Sequence, residues 1–93
     1  MKKLPKEFMI MGCKVSILYE KDLGENMGFT APDAGIIKVI KNKMIPRDST
    51  EATLFHEMAH YITYIMSEKD LYSNEKFVDL LGRVMHQIWL TLK

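Results

Sequence analysis

His56 and His60 stand four residues apart with Glu57 directly after the first, and this spacing constrains the fold more than any other feature of the chain. On an α-helix, positions i and i+4 lie about 40° apart around the axis and about 6 Å apart along it, so two such imidazoles converge on one point. Glu57 points about 100° away from His56 and is free to act as a base beside that point. The pattern is useful only on a helix whose core face lies to one side of both histidines. Fewer than about one in a hundred chains of this composition would carry H-E-x-x-H by accident.

The flanking residues predict such a helix. Asp48 followed by Glu51 has the spacing of a capping box, with Ser49 and Thr50 as alternative caps, so the helix is expected to begin near Ser49. Phe55, Met58, Ala59, Ile62, Ile65 and Met66 recur at three- and four-residue spacing, with Ala52 at the edge of the stripe. Taking Phe55 as zero, His56 falls near 100° and His60 near 140°, with Thr53, Glu57 and Tyr64 between roughly 160° and 200°. The histidines therefore flank the core, half sheltered. Tyr64, one turn beyond His60, either donates a hydrogen bond to a developing oxyanion or covers the edge of the site.

Before this helix the chain reads as strands. Phe8 to Met11 and Cys13 to Glu20 are rich in β-branched and aromatic residues, with Gly12 permitting a bend that makes them one strand or two. Asp22 to Asn26 is a loop, Met27 to Ala31 a strand, Pro32-Asp33-Ala34-Gly35 a turn and Ile36 to Lys41 the partner strand. As the last strand before the helix, Ile36 to Lys41 is the expected sheet edge, able to take an extended peptide, although its lysines equally protect an edge from aggregation. Cys13 alternates with Val15, Ile17 and Tyr19 and is expected to be a buried thiol rather than a ligand. The 8 methionines are spread along the chain and read as core filler.

After a polar connection over Ser67 to Ser73, a second helix is expected from Ser73 or Asn74 to the end. Its apolar stripe is Phe77, Leu81, Val84, Ile88 and Leu92, broadened by Val78, Met85 and Trp89. Glu75, Asp79, Gly82 and His86 share one flank. Gly82 inside a helix costs about 1 kcal/mol against alanine, which suggests close approach to the first helix. Glu75 and His86 lie about 16 Å apart along the axis and cannot bind one ion together. If the helices cross near the histidines, either Glu75 or Asp79 reaches them, whereas His86 is expected to be a boundary residue. The fold class is thus α+β: a small antiparallel or mixed sheet of three to four strands followed by two helices, in one domain spanning residues 1–93.

Composition limits the partners. An apolar fraction of 47%, a charged fraction of 27% and a net charge of +1 describe an ordinary globular chain without a polyanion-binding signal, so no nucleic acid is expected. No apolar run reaches membrane-spanning length, one cysteine makes no internal disulfide, and Met1-Lys2-Lys3 followed by Pro5, Lys6 and Glu7 is a poor leader. A reducing cytoplasm is the expected compartment. A chain of 93 residues also has no room for the second lobe of a large peptidase, so any substrate cleft is shallow or shared.

The segment Thr53-Leu54-Phe55-His56-Glu57-Met58-Ala59-His60-Tyr61-Ile62, followed by Asn74-Glu75-Lys76-Phe77-Val78-Asp79-Leu80-Leu81, resembles small zinc peptidase-like proteins of minimal gluzincin type, often encoded by phages and other mobile elements. The resemblance implies a zincin-like core and one Zn2+ per chain held by His56, His60 and Glu75. It further implies hydrolysis of a peptide bond by zinc-activated water, with Glu57 as general base and a peptide or protein as substrate. Asp79 would then orient a histidine ligand or remain a solvated charge. The resemblance covers the C-terminal half well and the strand-rich half only in layout, and the lobe that carries transition-state-stabilising residues in thermolysin-like enzymes is missing. Tyr61 to Thr63 lack the G-x-x-H continuation of the metzincins. Two other expectations compete: a zinc-binding regulatory or interaction module with little or no peptidase turnover, and a metal-free α+β interaction domain.

Overall fold

The first hairpin turns on Met11 and Gly12, both at positive φ (48° and 80°). That pair of angles is the type I′ turn, whose twist suits two antiparallel strands. Residues 8–20 are therefore two strands rather than one bent strand: β1 (Glu7–Ile10) and β2 (Cys13–Glu20), with Ile10 opposite Cys13. A loop leads to β3 (Gly28–Ala31), a 3-10 turn over Pro32–Ala34 ends on Gly35 at φ 66°, and β4 (Ile36–Ile40) follows. The computed structural model describes residues 2–66 and 69–93. Ser67 and Glu68 of the expected polar connection lie outside the described residues, as does Met1.

The strand order is β1-β2-β4-β3. β4 runs parallel to β2, from Ser16 opposite Ile36 to Glu20 opposite Ile40, and antiparallel to β3. The expectation that Ile36 to Lys41 forms an edge is therefore wrong. Ile37 and Val39 are fully buried and Ile40 nearly so, and an apolar run of this kind belongs to an interior strand. Lys38 lies over the ring of Phe29 on β3 rather than guarding an edge. The edge beside the helices is β3. The architecture is α+β, a four-stranded mixed sheet followed by helices α1 (Arg47–Ile65), α2 (Lys69–Tyr72, one turn) and α3 (Glu75–Thr91).

α1 is packed between the sheet and α3. The core joins Val15, Ile17, Ile37 and Val39 of the sheet to Leu54, Phe55 and Tyr61 of α1, with Val78 of α3 also buried. Two-sided packing changes the expected stripe: Leu54 and Tyr61 are buried, whereas Ala52 and Met66 are exposed. Cys13 is exposed rather than buried, because it lies where β2 leaves the hairpin, ahead of the covered residues Val15 and Ile17. Of the methionines, Met58 and Met85 pack on the core, whereas Met9, Met11, Met27, Met44 and Met66 are exposed and fill nothing.

The expected capping box is absent. α1 starts at Arg47 with Pro46 at its N-cap and no side-chain cap, which places Glu51 in the second turn. There its carboxylate accepts from Arg47 Nε at 2.7 Å and lies 2.8 Å from His86 Nε2, tying α1 to α3. Burial pushes the Glu51 carboxyl up, but the hydrogen bonds and charges of Arg47 and His86 outweigh it and hold the group below its ordinary 4.5.

α3 turns a different face to α1 from the one its apolar stripe predicts. Val78 and Gly82 are buried, while Val84, Ile88 and Leu92 are about half exposed or more. The contact centres on Gly82: a Cβ there would stand 3.0 Å from His56 Cα and from the carbonyl oxygen of Phe55. The helices thus meet at the position without a side chain, and the leucine-rich line rotates outward.

Two outcomes follow from this packing. Gly82→Val is expected to lower the unfolding free energy in urea by about 1–3 kcal/mol, because the added carbons meet helix backbone. Replacing Glu51 by Gln removes a contribution that is present above pH 4.5 and lost as pH falls through the depressed folded-state value. The stability gap between wild type and Glu51→Gln, followed by urea unfolding from pH 7 to pH 3, is expected to shrink only below pH 4.5.

Candidate metal centre

α1 presents His56 and His60 on adjacent turns, with ring centroids 4.9 Å apart. Asn74 caps α3 by accepting the backbone N–H of Phe77 at 3.0 Å, which sets Glu75 as the first residue of that helix. The close passage at Gly82 then brings Glu75 across both histidines. Its Oε2 lies 3.2 Å from His56 Nε2 and its Oε1 3.2 Å from His60 Nε2. One donor atom from each of the three residues falls within 4.8 Å of the others.

These distances suit a shared cation. Ligands about 2.0–2.1 Å from a tetrahedral ion are separated by about 3.3 Å, and each imidazole lies at about that distance from one of the two Glu75 oxygens. His60 Nδ1 lies 3.1 Å from the carbonyl oxygen of Tyr72 in α2. That carbonyl can only accept, so Nδ1 carries a hydrogen toward it and Nε2 is the nitrogen left to meet an ion. His56, His60 and Glu75 together can hold a metal ion. Glu75 is the exposed member, with 69% of its side-chain surface accessible against 13% for His60, so the group opens to solvent on the Glu75 side.

Asp79 stands differently. Its Oδ1 is 3.8 Å from His56 Nδ1, beyond hydrogen-bond length, and its Oδ2 is held by Arg83 Nε at 2.9 Å. It faces the side of His56 away from Glu75. His86 lies on Glu51, about two turns further along α3.

Glu57 is buried under β3. Thr30 Oγ1 lies 2.7 Å from Glu57 Oε1 and 3.0 Å from the Glu57 backbone carbonyl. Gly28, two residues earlier on the same face of β3, comes so near that a Cβ would lie 2.8 Å from Thr53 Cγ2 and 3.3 Å from Glu57 Cγ. Neither Gly28 nor Thr30 is singled out by the sequence reading. The available signal is the period-2 placement of a residue without a side chain and a hydroxyl on one strand face. Beside them an open cleft of about 340 Å³ is lined by Met27, Gly28, Ala52, Thr53, His56, Glu57 and Asp79.

Tyr64 donates its hydroxyl to Asp33 Oδ1 at 2.8 Å, joining α1 to the turn between β3 and β4. That hydrogen bond and the Asp33 charge raise its pKa. Its ring stands 6.1 Å from that of Tyr72, which in turn lies 5.2 Å from His60. Tyr64 thus covers the edge of the site with its donor already engaged.

No protein-family model, curated protein or solved structure matches the chain. Among the described residues, no helix is long and apolar enough to cross a membrane.

Calorimetric titration with a divalent cation distinguishes the two acidic residues. Partners that only orient a ligand typically cost 10–100-fold in affinity, so Glu75→Ala is expected to lose more than about a hundredfold and Asp79→Ala no more than about tenfold.

Proposed function

We propose that this protein is a zinc-dependent peptidase of the minimal gluzincin kind, with His56, His60 and Glu75 as ligands and Glu57 as general base. The observation that carries the reading is the juxtaposition of two Nε2 atoms and a carboxylate within 4.8 Å beside a cleft that Glu57 also lines. Two imidazoles, one carboxylate and a solvent-open side make a donor set that suits zinc in a hydrolytic site. When bound there, zinc supplies Lewis acidity that brings the deprotonation of a water molecule near neutral pH.

The chain's own groups do the rest. Glu57 Oε1 is engaged by Thr30, so Oε2 is the oxygen that takes the proton of the attacking water and passes it to the leaving nitrogen. The Tyr72 carbonyl keeps the His60 ring turned to the ion through its Nδ1 contact. An extended peptide adds to β3, which is the sheet edge beside α1. A reducing cytoplasm suits the exposed lone thiol of Cys13.

A zinc-binding module with little turnover is the second reading. It is favoured by the Tyr64 hydroxyl, the candidate oxyanion donor, already donating to Asp33. Glu57→Gln separates the two. The variant is expected to keep one zinc per chain by elemental analysis and to lose at least about a hundredfold in hydrolysis of a quenched-fluorescent peptide pool. Hydrolysis unchanged by the substitution would remove Glu57 from the mechanism.

A further inference from the structure

We propose that Thr30 is a positioning residue for Glu57, holding the carboxyl group in place both before and after it takes up a proton. The inference rests on Glu57 being the base. Thr30 Oγ1 lies within hydrogen-bond distance of two acceptors of the same residue, Oε1 at 2.7 Å and the backbone carbonyl oxygen at 3.0 Å. A hydroxyl carries one donor and two acceptor lone pairs, so it serves only one of them at a time. While Glu57 is a carboxylate, the hydroxyl hydrogen goes to Oε1, the shorter and charge-assisted contact. Once the proton of the attacking water sits on Oε2, Oε1 is the carbonyl oxygen of the neutral acid and still accepts from the same hydroxyl. The contact therefore persists while the proton moves on to the leaving nitrogen. Atoms and charge balance, since Thr30 gains and loses no proton.

The surroundings explain why the carboxyl needs a fixed partner. Glu57 is buried, and a buried polar group left without a hydrogen bond is destabilising in either protonation state. On the strand side the carboxyl is closely flanked, because a Cβ at Gly28 would stand only 3.3 Å from Glu57 Cγ and 2.8 Å from Thr53 Cγ2. The close approach that only glycine permits therefore sets the distance at which the Thr30 hydroxyl works. Threonine is also stiff at χ1, so its hydroxyl stays aimed at Oε1.

The test compares zinc-loaded wild type, Thr30→Ser, Thr30→Val and Glu57→Gln. Zinc content and thermal unfolding are measured first, then kcat and KM on the peptide pool. Calorimetry with acetohydroxamic acid needs no turnover: its N–OH proton must pass to a nearby carboxylate when its oxygens take the metal. Thr30→Val is expected to keep its zinc, to lose about 10–100-fold in kcat with little change in KM, and to bind the hydroxamate about tenfold or more weakly. Thr30→Ser, which restores the hydroxyl, is expected to stay within about threefold of wild type in both measurements. Thr30→Val matching wild type while Glu57→Gln loses turnover and hydroxamate binding would overturn the role of Thr30 and leave the base in place. Glu57→Gln matching wild type, or a zinc-loaded wild type that neither cleaves nor binds the hydroxamate, would instead take down the base and Thr30 with it. A loss in Thr30→Val that Thr30→Ser shares equally would mark the position as packing only.

Discussion

The contact between Gly82 and the backbone of Phe55 and His56 governs the relation of the two long helices. Because a Cβ at Gly82 would sit 3.0 Å from main-chain atoms of α1, the axes come closer there than leucine-to-leucine packing allows. Everything else on α3 is placed by that crossing. Val78 is driven into the core, Trp89 and His86 come against Phe55, and Glu75 is swung over the two imidazoles. A side chain at 82 would have separated the helices and left the histidines facing solvent alone. The entropy lost in ordering a glycine in mid-helix is offset by this proximity.

Much of this was legible in the residues. The 3.6 periodicity of both helices, the start of the second near Ser73 or Asn74, Gly82 as a contact and the strand-turn-strand run from Met27 to Ile40 all have local causes that a sequence displays. The grouping of His56, His60 and Glu75 was also legible, though spacing alone left Asp79 as an equal candidate. What stayed hidden is non-local. Nothing in Ile36–Ile40 by itself says that it will slot between β2 and β3; that depends on β2 having a free side once β1 has taken the other. The start of α1 was misplaced because Asp48 and Glu51 match a cap pattern, whereas a tertiary demand, the pairing of Glu51 with His86, is what occupies the carboxylate. Thr30 was invisible for the same reason: its partner lies 27 residues away.

The insertion of β4 has a functional corollary. With the fully buried Ile37 and Val39 at the middle of the sheet, the edge left beside the metal centre is the short strand β3, four residues long. It carries the two residues that press on Glu57. The strand open to a peptide is thereby also the strand that holds Glu57, and a displacement of one moves the other.

The position of Glu75 has a kinetic meaning of its own. Two of the three donors sit in the middle of a helix held on both sides, but the third is the first residue of α3 and mostly exposed. Helix starts open locally at far lower free energy than helix centres. Unwinding one turn at Asn74 to Phe77 would withdraw the carboxylate while the imidazoles stay in place. Any ion held by the three residues would therefore come and go through the fraying of one helix end, with the rest of the fold undisturbed.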